Sequence, residues 1–124
     1  MYVRPDLQVM SFLAGGSWWA VDAHHVVEVV GALTVQPVRS MHPAVLGLVP
    51  WRSRAICAVD AREWRGEAQT TPVKRMIILR CGEALFALAA EAVREVCDRE
   101  DNMTCLDVES LVADLVSRPS AGPD

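Results

Sequence analysis

The chain has 124 residues and a formal net charge of −4, and 52% of its residues are hydrophobic, enough for one compact unit or two very small ones and too many for wholesale disorder. A pI near 5.3 with no basic run excludes a nucleic-acid partner, because neutralising phosphates takes clustered Lys and Arg. No apolar run approaches a membrane span, and Arg4 and Asp6 are followed by no signal-type block, so the expectation is a cytoplasmic chain without direct membrane insertion.

Residues 7–14 form the first apolar run, and Gly15-Gly16 marks a hairpin turn into a second strand, Ser17 to Val21. Asp22 is placed to cap a helical turn, Asp-Ala-His-His-Val. Val26 to Val30 is β-branched and Gly31 breaks it, and Leu33 to Val38 reads as extended. Ala44 to Val49 and Arg54 to Val59 are two strands joined around Pro50-Trp51-Arg52-Ser53, and residues 60–71 are polar and read as a loop. Lys74 to Cys81 is a strand, Gly82-Glu83 a turn and Ala84 to Ala90 another strand, followed by a helical turn within Glu91 to Val96 that leads into a strand. Asp98 to Asn102 is a charged turn. Asp107 then caps a short helix with Val108, Leu111, Val112 and Leu115 on one face. Residues 117–124 have the composition of a disordered tail.

The two halves resemble each other. Strand, Gly turn, strand, short turn and Val-x-Glu-Val occur from Phe12 and again from Ile78, so that Val26, Glu28 and Val29 fall opposite Val93, Glu95 and Val96. Cys57-Ala58-Val59-Asp60 likewise matches Thr104-Cys105-Leu106-Asp107. Two readings stand: a duplication, or the common look of any two β-hairpins. Under the first, the second half is short, because a long segment between Val-x-Glu-Val and Val-Asp in the first half shrinks to CDREDNM in the second. Missing strands leave an edge unpaired, which makes homodimerisation or strand exchange an expectation.

Catalytic signatures are absent: no GxGxxG, GxxxxGK[ST] or GxSxG. Cys57, Cys81, Cys97 and Cys105 lie in apolar runs without CxxC spacing and read as buried thiols. His24 and His25 are far along the chain from any cysteine, so no metal site and no cofactor are expected, and His42 reads as a loop residue. Trp18 and Trp19 point to opposite faces of one strand, one to the core and one outward. For Trp51, between Pro50 and Arg52, a packed lid and an interface anchor both remain open. A small ligand-binding barrel or enzyme would need a deep polar pocket near His24, His25 or Cys57.

Residues 45–63, VLGLVPWRSRAICAVDARE, resemble the signature of the CheW family of chemotaxis coupling proteins, in which an apolar strand with a Gly leads into Asn-Leu-Arg-Gly and a second strand ends in Pro-Val-Val-Asp-Leu-Arg. Gly47, Arg52, Val59, Asp60 and Arg62 stand at matching positions, while Pro50-Trp51, Ser53 and Ala58 depart from the pattern. The opening hairpin and the closing Leu106-Asp107 with Leu111 are also similar to the family's, so the resemblance covers most of residues 7 to 116. The shortening makes the chain look most like small FrzB-type members.

The resemblance implies a mainly β, CheW-like scaffold of two SH3-like barrels, the first at roughly 7–71 and an incomplete second at roughly 72–116, with short helices including a C-terminal one. It implies a non-catalytic adaptor of a bacterial chemosensory system. Its expected partner is the cytoplasmic tip of a methyl-accepting chemoreceptor, bound around Val26, Glu28, Gly47, Arg52 and Val93. A CheA-type histidine kinase or another CheW-like protein is a further partner of the family, and the shortened half implies weakened or lost kinase coupling. A complete coupler, with tighter loops in place of the lost stretch, is the alternative.

Overall fold

The computed structural model describes residues 8–39, 42–61, 73–100 and 103–117. Among the described residues the strands are β1 Gln8–Ala14, β2 Ser17–Asp22, β3 Val26–Gly31, β4 Val45–Trp51, β5 Arg54–Val59, β6 Arg75–Cys81, β7 Ala84–Ala90 and β8 Ala92–Asp98, and a helix, α1, spans Val108–Ser117. A 3-10 turn, Ala23–His25, joins β2 to β3. Among the described residues no helix is long and apolar enough to cross a membrane.

The strands form a three-stranded sheet ordered β2-β1-β8 and a five-stranded sheet ordered β3-β6-β7-β5-β4. The β1–β2 hairpin closes where expected, with Gly15 and Gly16 at φ 64° and 78°, a region that costs glycine little. β6 and β7 are central strands, which explains their near-continuous burial: both edges are paired and both faces covered. Their side chains alternate between two cores. Ile77, Leu79, Phe86 and Leu88 enter a first core with Phe12, Trp19, Leu106 and Leu111. Met76, Ile78 and Ala87 enter a second with Val49, Trp51 and Ile56.

The sheets do not divide at residue 71. Each mixes the two halves: β8 pairs with β1 in the smaller sheet, and β3, β5 and β4 join β6 and β7 in the larger, with β3 paired to β6. The exchange is reciprocal and in register. Val26 faces Leu79 as Val93 faces Phe12, Val29 faces Ile77 as Val96 faces Met10, and Gly31 faces Arg75 as Asp98 faces Gln8. Both pairings carry an irregularity at the same point, just after Val26 and just after Val93. The two hairpins also match pair for pair, Ala14 with Ser17 and Cys81 with Ala84 at their ends. The halves therefore repeat at the level of individual backbone pairs.

The repeat also locates the shortening. In the five-stranded sheet β5 runs parallel to β7, with Ala58 beside Ala87, and β4 pairs outside β5. In the other sheet the counterpart of β5 is a parallel bridge between Cys105 and Ala20, held by Ala20 N–H to Thr104 O at 2.8 Å and Leu106 N–H to Ala20 O at 2.7 Å. Among the described residues β4 has no counterpart there.

α1 begins as expected. The Asp107 carboxylate accepts from Ser110 N–H at 3.0 Å, and Val108 and Leu111 are buried. Several local expectations are corrected. Asp22 precedes a 3-10 turn but its side chain makes no cap hydrogen bond. The helical turn expected within Glu91 to Val96 is a bend at Glu91, and β8 starts at Ala92. From Leu33 to Val38 only Gln36 makes a bridge. The expected loop lies outside the described residues beyond Ala61, as does the tail beyond Ser117.

Candidate functional site

Glu28 lies in β3 and Trp51 at the end of β4, the two outermost strands of the five-stranded sheet. They meet nevertheless. Trp51 Nε1–H donates to Glu28 Oε1 at 2.8 Å. The chain continuing from β3 touches β4 a second time, where Gln36 and Leu48 exchange backbone hydrogen bonds of 2.8 Å each. The sheet thus curls until its edges meet, as an SH3-like arrangement requires.

Gly47 makes the second contact sterically feasible. Its φ is 150°, and a Cβ there would stand 2.2 Å from Gln36 O and 2.9 Å from Pro37 Cα. Only a residue without a side chain lets the two backbones approach this closely. Gly47 is buried, so its place among the expected receptor-binding residues rests on backbone shape rather than on a side-chain contact.

Arg52 and Ser53 form the β4–β5 turn with φ of 46° and 62°. Both central residues are left-handed, as a two-residue turn between twisted strands demands, yet neither is glycine. The conformation costs on the order of 1–2 kcal/mol per residue. It presents Arg52 at the surface with its guanidinium 4.6 Å from the Trp51 ring centre, a cation–π contact, and 3.3 Å from Glu28 Oε2. The Arg52 side chain is 61% exposed and that of Glu28 36%, so the ion pair adds little stability. The hydrogen bond from Trp51 is the largest influence on the Glu28 carboxyl and, outweighing desolvation and aided by the charge and hydrogen bond of Arg52, holds it below the usual carboxylate range.

The Trp51 ring is buried in the second core with Val49, Ile56 and Met76, so the lid reading describes its ring and the Glu28 bond occupies its N–H. Val26 and Val93, related by the repeat, are half-buried and both pack against the first core. The structure therefore brings Glu28, Trp51 and Arg52 together directly, while Val26 and Val93 flank the shared core from the two exchanged strands.

Of the paired tryptophans, Trp19 is buried against Phe12 with ring centres 6.0 Å apart, and Trp18 is exposed with Arg94 stacked 3.9 Å from its ring centre. Two contacts escaped the sequence reading. Gly15 N–H donates to Glu91 Oε1 at 2.7 Å, tying the first hairpin to the bend before β8. His42, buried, accepts from Ala44 N–H at its Nδ1 at 3.0 Å, so its Nε2 carries the proton donated to Asp114 at 2.6 Å. No local spacing signals the Gly15–Glu91 or His42–Asp114 bond, because those partners lie on distant segments. Burial raises the Cys57 thiol pKa, and all four cysteines are free. His25 lines a cleft of about 330 Å³ with Asp22, Arg99, Cys105 and Asp107.

The family model for the CheW-like domain matches residues 8–104. Among solved structures, the scaffolding protein TtCheW from Thermoanaerobacter tengcongensis aligns with a TM-score of 0.67 at 21% identity, covering 78% of this chain and 68% of that one. No curated protein matches the sequence. The reciprocal pairing of two hairpin units, the curled five-stranded sheet and a family match over most of the length agree: this chain belongs to the CheW-like domain family, the non-catalytic coupling scaffolds of chemotaxis signalling.

Proposed function

We propose that this chain is a cytoplasmic adaptor that binds the cytoplasmic tip of a methyl-accepting chemoreceptor through the five-stranded sheet, with coupling to a CheA-type kinase weakened or lost. The observation that carries the reading is the Glu28–Trp51–Arg52 cluster. A strained turn holds an exposed guanidinium against a half-exposed carboxylate over a buried indole. Strain that the surroundings maintain at an exposed charged residue is a pointer to function. A receptor helical hairpin offers an apolar stripe for Val26 and Val93 and polar flanks for Glu28 and Arg52. Gly47 contributes by setting the height of β4. The doubt about kinase coupling rests on the three-stranded sheet, in which the described residues supply no counterpart of β4.

Titration of the chain against a receptor cytoplasmic fragment and, separately, a kinase regulatory domain tests both parts. Receptor binding that Arg52→Ala weakens is the expected result. Strong kinase binding without receptor binding overturns the proposal, and normal receptor binding by Arg52→Ala removes Arg52 from the site. The alternative, a complete coupler, requires that the chain restore receptor control of kinase activity.

Self-association belongs to the same reading. β8 is exposed along most of its length, with Val96 44% exposed, on the edge that in the complete sheet meets β4. A strict monomer by light scattering at high concentration argues against it.

A further inference from the structure

We infer that Asp22, His24 and His25 form a binding site for a divalent late-transition-metal ion such as zinc. The inference is independent of the receptor reading. One donor atom from each residue lies within 4.8 Å of the other two. Zinc holds nitrogen and carboxylate oxygen at about 2.0–2.2 Å, so displacements of roughly 1 Å per side chain, within rotamer adjustment, close the set around one ion. The two imidazoles already face each other, with ring centres 4.0 Å apart.

Three further observations point the same way. The first is the tautomer of His25. Its Nδ1 lies 2.9 Å from Arg80 O, and a carbonyl only accepts, so Nδ1 carries the proton and Nε2 the lone pair. Metal-binding imidazoles are oriented by this kind of bond from the other ring nitrogen to a carbonyl. His25 is buried, so the fold fixes its direction. The second is the Asp22 carboxylate. It is not spent on capping the turn, and among the described residues its ion-pair contact is a long one, 3.9 Å to Arg99.

The third comes from the repeat. The counterpart connection, between β7 and β8, carries Ala89, Glu91 and Ala92 where the first carries Asp22, His24 and His25. The fold makes that connection without the three donors, so they are not demanded by the chain path. The adjoining cleft, lined by Cys105, Asp107 and Glu109 as well, leaves room for a water or a fourth ligand. Two imidazoles and a carboxylate favour zinc, copper(II) or nickel(II) over magnesium or calcium. The turn connects the three-stranded sheet to the strand that carries Glu28, so an ion there would stiffen that connection.

The test is calorimetric titration of the full-length, chelator-stripped chain with zinc chloride under a non-coordinating reductant, with magnesium chloride in parallel. One zinc per chain and no magnesium uptake are expected, with a higher melting temperature in zinc. His24→Ala and Asp22→Asn, which change solvent-accessible side chains, each weaken zinc binding roughly tenfold or more. Cys97→Ser, at an exposed thiol, leaves it unchanged. Circular dichroism of the ion-free variants confirms that they are folded. Failure of the parent to bind saturably overturns the inference. So does parent-like affinity in both folded variants, or loss of binding in Cys97→Ser, which assigns the ion to thiols.

Discussion

Replacing Gly47 with alanine tests the claim that the five-stranded sheet is joined at its edges. The added Cβ would lie 2.2 Å from Gln36 O, 2.8 Å from Gln36 C and 2.9 Å from Pro37 Cα, all backbone atoms that cannot rotate away. Retreat by roughly 1 Å, to ordinary carbon–oxygen contact, opens both Gln36–Leu48 hydrogen bonds, now 2.8 Å each. Those bonds are worth about 0.5–1.5 kcal/mol apiece. The φ of 150° adds about 1–3 kcal/mol for a residue with a side chain. The expected loss is about 4 kcal/mol, read as a lower urea midpoint by tryptophan fluorescence. Gly31→Ala is the control. It sits in β3 with nothing within 4 Å of its Cβ position and no positive φ, so its effect stays within about 1 kcal/mol. Hydrogen exchange gives a second readout, with the Leu48 and Gln36 amides losing protection ahead of Ile77 and Leu88. A Gly47→Ala chain within about 1 kcal/mol of the parent refutes the steric argument.

The Glu28 carboxyl is held below its usual range, so the stability it confers is present above the unfolded-state pKa and is lost as pH falls through the lower folded-state value. The urea-midpoint difference between parent and Glu28→Gln therefore shrinks on acidification through that window, and Trp51→Phe, which removes the leading cause of the shift, reduces that dependence. His42→Ala leaves the buried Ala44 N–H without its acceptor and frees α1 from the Asp114 tie, for an expected cost of about 1–3 kcal/mol in urea unfolding. At mildly alkaline pH a disulfide reagent modifies exposed Cys97 first, whereas Cys57, half-buried with its thiol pKa raised, reacts at a comparable rate only in denaturant, as peptide mapping will show.

Where structure depends on neighbours in the chain, it was legible. Gly15-Gly16 and Gly82 fall between apolar runs and mark both hairpins. Asp107 ahead of a Val108, Leu111, Val112 and Leu115 stripe marks α1, and the gap before Cys105 marks the lost strand. The family resemblance placed Glu28 and Arg52 at one expected site, and the structure adds that they pair there. The strand exchange was not legible, because backbone hydrogen bonding is blind to sequence and a Val-x-Glu-Val strand suits its own hairpin as well as the other half's. The work of Gly47 was hidden for a related reason: what it must avoid is Gln36 backbone, placed there by curling of the sheet. Asp22 looked like a helix cap by position, and its carboxylate proved free of that duty.

The exchange has a thermodynamic consequence. Residues of β6 alternate between the cores, Ile77 and Leu79 to the first, Met76 and Ile78 to the second. β1 holds β8 from one half and β6 holds β3 from the other. Neither core can come apart without disrupting strands that wall the other, so the two halves should unfold as one cooperative unit. Leu111→Ala in the first core should cost about 2–5 kcal/mol, and Ile78→Val in the second about 0.5–1.5 kcal/mol. Both residues are fully buried. Each should move a single transition, with tryptophan fluorescence and far-ultraviolet circular dichroism giving the same midpoint. Independent barrels predict that Leu111→Ala splits the curve, lowering one transition and leaving the signal of Trp51 in the second core at its parent midpoint. That split would show that the shared strands do not couple the halves.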